Sequence, residues 1–291
     1  MKVGIFYFTG SGNTEIIAKT YKEALNNLNH EVELFRIESL LDKPTDFSIY
    51  DKVGIFYPVY GFNAPSIVAK FIKLQKKQNR IINYFIVMCS GEPLRVNHAS
   101  IYRVNSILKR RNFLLENTYH YVMGYNMIFR HTEAKAYKMY KTMKDIVPID
   151  VKEYFDEGKK VREKQIWFGR PFAFIVRLEN PFYSHINGKL FKVDDTKCIH
   201  CNMCINNCPS KNISFKDGKF KFSNKCVMCT RCSFNCPKNA IKIGILNNWK
   251  VNGKYAYKPT DIKEVDKHAK YCKKAYEKYF LEKETRIANS K

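Results

Sequence analysis

The chain has 291 residues, 45% hydrophobic and 14% aromatic, which exceeds the usual single domain and is ample for a buried core. Lys and Arg number 51 against 27 Asp and Glu, a formal net charge of +24. No apolar run reaches the length of a membrane span, and no block of five or six like charges marks a nucleic-acid tail.

No export leader is visible in Met1–Phe8, so the reading is a cytoplasmic protein whose ten cysteines are reduced or ligated. The positive excess is spread along the chain. It suits an acidic redox partner met by electrostatic steering or peripheral contact with an anionic membrane, and equally a simply solvated surface.

In chain order, Val3–Phe8 is a continuous apolar run that predicts a buried strand. A glycine-containing loop, Thr9 to Thr14, leads into a helix with Ile16, Ile17, Tyr21, Ala24, Leu25 and Leu28 at helical spacing. Strands are predicted at Val32–Ile37, Lys52–Tyr57, Ile81–Cys89 and Phe113–Met123, with helices at Ala64–Leu74 and Ser100–Lys109. Strand and helix alternation predicts an α/β fold: a doubly wound parallel five-stranded sheet over residues 1–150. Ligands of such sheets sit beyond the carboxyl ends of the strands, so the loops after strands one, three and four are candidates.

Residues 133–164 read as helix interrupted at Pro148, and residues 151–189 as a helical bridging segment. Trp167, Phe168, Phe172, Phe174, Phe182 and Tyr183 give that segment the look of a small core of its own. A cysteine-rich α+β unit fills residues 190–245, and a charged, helical tail residues 246–291.

The loop Thr9-Gly10-Ser11-Gly12-Asn13-Thr14 has the parts of a phosphate cradle: backbone N–H groups, hydroxyl donors and a helix N-terminus. No Lys-Ser/Thr pair follows, which excludes a nucleoside triphosphate loop, and Glu15 stands where a dinucleotide fingerprint needs its third glycine. A phosphomonoester fits better. With Ala18 beyond it, the loop resembles the FMN phosphate loop of flavodoxins, with Tyr21 replacing a usual aliphatic residue. That resemblance implies FMN. It extends to Pro58, Val59, Tyr60, Gly61, Phe62 and Asn63 as the second flavin loop, and to Ser90, Gly91 and Glu92 as the third. Tyr60 and Phe62 are the candidates for stacking on the flavin ring.

Eight cysteines fall in two C-x2-C-x2-C-x3-C-P runs, Cys198–Pro209 and Cys226–Pro237. The halves repeat with an offset of 28 residues: Lys197-Cys198 matches Lys225-Cys226, and Ile213 matches Ile241. The spacing excludes a disulfide framework and disfavours zinc. Residues 190–245 resemble bacterial two-cluster ferredoxins, which implies two [4Fe–4S] clusters and one-electron transfer. The resemblance further implies that the fourth cysteine of each run serves the other cluster. One set is then Cys198, Cys201, Cys204 and Cys236; the other is Cys226, Cys229, Cys232 and Cys208. The unit departs from acidic bacterial ferredoxins in carrying ten basic and three acidic residues. His200 reads as a surface residue, Cys89 as a buried small hydrophobe, and Cys272 has no assigned role.

The whole order resembles the flavodoxin–ferredoxin fusion family. The implied function is electron transfer between the clusters and FMN, as a carrier for redox partners. An FMN-dependent oxidoreductase acting on a small substrate is the first alternative. A basic nucleic-acid- or membrane-binding module with structural or sensing clusters is the second. No acid–base or nucleophilic triad is present in the pattern.

Overall fold

The protein is described from a computed structural model covering residues 1–260 and 272–290. Its first part alternates β1 (Lys2–Tyr7), α1 (Asn13–Asn27), β2 (Glu31–Arg36), β3 (Lys52–Pro58) and α2 (Ser66–Leu74). It continues with β4 (Ile82–Ser90), α3 (Ser100–Lys109), β5 (Phe113–Val122) and α4 (Glu133–Phe155). The five strands pair in parallel in the order β2-β1-β3-β4-β5. The order reverses direction at β1 and β3, which places the ligand crevice over their carboxyl ends.

Alternate residues of each strand feed two separate cores, as a sheet covered on both faces requires. Phe6, Phe8, Ile55, Tyr57, Ile86 and Met88 face α2 and α3. Val3, Ile5, Phe56, Phe85 and Val87 face α1 and α4.

Two expectations need correction. Pro148 does not interrupt α4, which runs unbroken from Glu133 to Phe155. Ile146, Val147 and Val151 are fully buried against the sheet, and that packing outweighs the roughly 3 kcal/mol a mid-helix proline costs. Nor do the aromatics of 166–190 form a core: Trp167 is 91% exposed, and Phe168, Phe172, Phe174 and Phe182 are also exposed. Trp167 and Phe168 lie in the turn before α5 (Gly169–Pro181), Phe172 and Phe174 on that helix, and Phe182 in the π-helical turn Phe182–Ile186 that follows it.

Residues 156–168 instead run along the open edge of β5. Thr118 N donates to Val161 O at 2.9 Å and Glu163 N to Thr118 Oγ1 at 2.7 Å, so the edge strand is not left bare.

The cysteine-rich part holds α6 (Asn187–Lys189), β6 (Phe191–Val193), α7 (Met203–Asn206), β7 (Ile213–Lys216), β8 (Lys219–Phe222), α8 (Arg231–Phe234) and β9 (Ile241–Ile243). The 28-residue repeat is visible in three dimensions. Left-handed φ recurs at His200 and Met228, at Asn202 and Thr230, and at Lys211 and Asn239. Strands β6 and β8 are one repeat pair and β7 and β9 the other; β6 pairs with β9 and β7 with β8, as a pseudo-twofold axis demands.

Of the expected helix at 261–284, residues 261–271 lie outside the described residues; α9 occupies Lys273–Asn289. It packs on the first domain: Arg286 pairs with Asp150 at 2.8 Å and Glu153 at 2.6 Å. Among the described residues no helix is long and apolar enough to cross a membrane.

Candidate functional site

A cavity of about 290 Å³ opens over the carboxyl ends of β1, β3 and β4. From the first loop it is lined by Thr9, Gly10, Ser11, Asn13 and Thr14, and from the second by Pro58, Val59, Tyr60, Gly61 and Phe62. Ser90, Gly91 and Glu92 line it from the third. Three expected residues are used differently. Gly12 caps α1 and faces the neighbouring groove. Asn63 turns away and donates to Gly61 O and Ala173 O, both at 2.8 Å. Asn13, although it lines the cavity, ties the first loop to Gly124 O at 2.8 Å and to the Tyr257 hydroxyl at 2.7 Å.

Two buried hydroxyls on this cavity, Thr14 Oγ1 and Tyr60 Oη, have no hydrogen-bond partner in the protein within normal geometry; their near neighbours are the Cys89 thiol and Asn126. Buried polar atoms in folded proteins are as a rule paired, so the position of these two on the cavity suits a polar ligand. The loop is also crowded where a ligand's backbone cradle should be tight. A Cβ on Gly10 would stand 2.5 Å from Cys229 O and 2.6 Å from Tyr60 Oη.

Several lining residues lay outside the expectation: Gly124, Tyr125, Asn126 and Ile128 follow β5, and Asn97 precedes α3. The strand-end rule that picked the first three loops applies equally to β5, so the first four were within reach of the sequence. Asn97 was not, because its role is to donate to Glu92 O at 3.1 Å and Ser90 Oγ at 3.3 Å. Burial pushes the Glu92 carboxyl up to about 7. The Tyr125 hydroxyl donates to Glu92 Oε2, and the α9 residue Tyr276 donates to Gly91 O at 2.6 Å, so the C-terminal helix steadies the third loop.

The cysteines surround two smaller cavities. One is lined by Cys198, Cys201, Cys204 and Cys236, and also by Cys232, which the two cavities share. The other is lined by Cys208, Cys226, Cys229 and Cys232. Each cavity therefore draws its fourth thiol from the other run. None of the ten cysteines is in a disulfide. Among the described residues, no three metal-ligating side chains converge closely enough to hold a single ion.

Backbone N–H groups point at the sulfurs in matched pairs. Asn212 N reaches Cys208 Sγ at 3.2 Å and Ala240 N reaches Cys236 Sγ at 3.3 Å. His200 N reaches Cys198 Sγ and Met228 N reaches Cys226 Sγ, each at 3.4 Å. Such donors favour thiolate. Without a ligand, burial pushes the Cys204 and Cys229 thiols up to about 11, so metal binding must displace their protons.

A flavodoxin domain profile matches residues 4–144 and a 4Fe-4S binding domain profile matches residues 191–214. A flavodoxin domain followed by a 4Fe-4S domain matches a flavodoxin–ferredoxin fusion. The flavodoxin domain implies FMN, the 4Fe-4S domain implies a [4Fe–4S] cluster, and together they point to a redox or electron-transfer function.

Solved structures similar to the fusion include flavodoxin 2 from Bacillus cereus, 20% identical over 41% of this chain and 83% of its own, with a TM-score of 0.34. A flavodoxin from the domain Archaea is 15% identical over 53% and 97%, with a TM-score of 0.36. An NADH:FMN oxidoreductase is 10% identical over 41% and 74%, with a TM-score of 0.34. No curated protein matches the sequence.

In the fusion the two cofactor regions touch. The loop Val227–Arg231 lies on the first flavodoxin loop, with Cys229 buried in the same core cluster that Tyr60 packs against. Arg231 donates to Thr9 O at 2.6 Å and pairs with Glu38 at 2.6 Å, both side chains nearly buried. Thr230 Oγ1 accepts from Asn126 Nδ2 at 3.3 Å. The repeat-related loop is more open: Cys201 is exposed, as are Ile199 and Met203.

Proposed function

We propose that the chain transfers electrons within one molecule, between a two-cluster ferredoxin part and an FMN-bearing flavodoxin part, and so serves external redox partners. The carrying observation is the contact of Cys229 and Arg231 with Gly10 and Thr9. When bound, the clusters supply one-electron chemistry and FMN supplies both one- and two-electron chemistry.

In this reading Cys226, Cys229, Cys232 and Cys208 hold the cluster beside the flavin loops, and Cys198, Cys201, Cys204 and Cys236 hold the outer one. The chain's own residues do the positioning. Thr9, Gly10, Ser11 and Thr14 cradle the phosphate with N–H groups and hydroxyls. Tyr60 fills the gap between the Cys229 loop and the flavin cavity, excluding water from the shortest route. The exposed loop around Cys201 is the port for an external partner. Lys192, Lys197, Lys238 and Lys242 belong to the same basic unit, so an acidic partner surface is the complementary one.

The experiment is anaerobic purification with iron, sulfide and flavin analysis, then rapid reduction while flavin absorbance is followed. About eight irons and one FMN per chain are expected for two four-iron clusters. Flavin that stays oxidised while the clusters are reduced, at potentials permitting transfer, would sink the reading. Sustained turnover of a quinone or nitro compound by the isolated protein would favour the oxidoreductase alternative instead.

A further inference from the structure

Helix α5 has two faces with opposite environments. Its inner face is committed to the second flavin loop: Phe172 packs on Phe62 with ring centroids 5.2 Å apart, Ala173 O accepts from Asn63, and Val176 Cγ1 lies 3.0 Å from a Cβ built on Gly61. Its outer face carries Phe174, Ile175 and Leu178, with Trp167 and Phe168 in the turn that leads into it; all are exposed, Leu178 by 64%. At about 100° per residue these side chains fall on one stripe. Exposed apolar stripes of this continuity on a soluble fold mark a surface that something covers.

The charge beside the stripe says what covers it. Residues 159–192 hold eight Lys and Arg against two acids. Arg170 and Arg177, two turns apart, border the apolar stripe, and Arg103 of α3 stands close enough to Arg177 to feel its charge. Among the described residues, none of these three guanidiniums has a carboxylate within ion-pair distance, whereas Arg36, Arg130, Arg231 and Arg286 each have one. Trp, Phe and aliphatic residues on one face with unpaired arginines at its rim are the composition of helices that lie in a lipid headgroup layer. Thirteen residues span only about 20 Å, enough to lie on a bilayer and too short to cross it.

We propose that α5 docks this protein on an anionic phospholipid bilayer, its apolar stripe at headgroup depth and Arg170 and Arg177 on lipid phosphates. The second flavin loop on the opposite face of the helix then sits roughly one helix diameter, about 10 Å, from the lipid. The docking does not depend on the relay described above, and each has its own test.

The test is vesicle co-sedimentation of the full-length holoprotein. Phosphatidylcholine vesicles are compared with phosphatidylcholine–phosphatidylglycerol vesicles at low and high salt. Binding is expected only with phosphatidylglycerol, weakening with salt, and a Trp249→Phe variant should show a blue shift of Trp167 emission on binding. Ile175→Glu with Leu178→Glu, both at exposed positions, should cut partition roughly tenfold or more with FMN and iron content unchanged. Arg170→Gln with Arg177→Gln should lose the anionic preference. Absence of binding to anionic vesicles, or binding indifferent to both double variants, overturns the proposal. So does a dimer in sedimentation velocity that the Glu variants dissolve, which would assign the face to a second copy.

Discussion

Arg231 of the ferredoxin part donates through Nη2 to the backbone carbonyl of Thr9, the first residue of the flavodoxin phosphate loop, at 2.6 Å. The same nitrogen meets Glu38 Oε1 at 2.6 Å, and Nη1 meets Asn207 O at 3.0 Å. One guanidinium thus joins the phosphate loop, the segment after β2 and the end of the first cysteine run. Both ionic partners are nearly buried, so removing one leaves an uncompensated charge, a loss of roughly 3 kcal/mol.

Arg231→Met is therefore expected to loosen the docking of the two parts without emptying either site. Iron and FMN contents should stay at wild-type values, while transfer from clusters to flavin slows by roughly tenfold or more, since a small displacement has a large effect on a positioned reaction. Stopped-flow reduction checks it. The double variant Arg231→Met, Glu38→Gln should be less destabilised than Arg231→Met alone, because it leaves no stranded carboxylate.

Gly10→Ala tests the same junction from the other side. The added methyl would meet the Cys229 carbonyl at 2.5 Å, and a backbone carbonyl cannot swing aside as a side chain can. The outcome expected is slower transfer and weaker FMN retention together. The tight spot at Gly188, whose Cβ would meet Cys226 Cβ at 2.3 Å, gives the contrast: Gly188→Ala should lower iron content and leave FMN binding alone. Flavin release on dilution and iron analysis separate the two.

Glu92 sets a pH dependence. Burial, only partly opposed by the Asn97 hydrogen bond, holds its carboxyl at about 7, against an ordinary value of 4.5. A native pKa above the unfolded one means the folded protein keeps a proton that the unfolded chain gives up. Stability is then present below pH 4.5 and is lost as pH rises through 7, by up to roughly 3 kcal/mol. The carboxylate formed above pH 7 also lines the cavity that takes an anionic ligand. FMN affinity should fall between pH 6 and 8, and Glu92→Gln should flatten both profiles; equilibrium dialysis and urea titration measure them.

The parts legible in the sequence are those set by local pattern. Buried strands show as continuous apolar runs because both faces of a parallel sheet are covered, and β1, β3 and β4 fall within a residue or two of their expected limits. Cysteine spacing is legible because three cysteines of each cavity come from one tight loop. What escaped depends on distant contacts. Pro148 inside α4 is carried by tertiary packing that no local rule sees. Arg231 reads as one more surface cation until the fold brings Thr9 and Glu38 to it. The α5 aromatics look like core because composition records apolarity and not which side of a helix meets a neighbour.

The last expectation concerns a buried pair behind the third flavin loop. His98 Nδ1 donates to Lys164 O at 2.8 Å, and His98 Nε2 stands 3.7 Å from Glu163 Oε2 and 3.1 Å from His120 Nδ1. Ser90 gives its single hydroxyl proton to Glu92 O at 2.5 Å, so His120 Nε2 donates to Ser90 Oγ at 2.7 Å and its Nδ1 is left as the acceptor. Burial, then His98 and Lys283, hold the His120 pKa well below its ordinary 6.5. The His120 ring therefore stays neutral, with Nε2 protonated, and nitrogen NMR of the histidine side chains should show that tautomer at pH 7. A depressed histidine pKa contributes stability that is present above pH 6.5 and lost below it, by about 1.4 kcal/mol per pH unit until the folded pKa is reached. His120→Gln should remove that slope in denaturation between pH 7 and 5. A wild-type protein equally stable at both values would mean that His120 reaches water, and the tautomer assignment would fall with it.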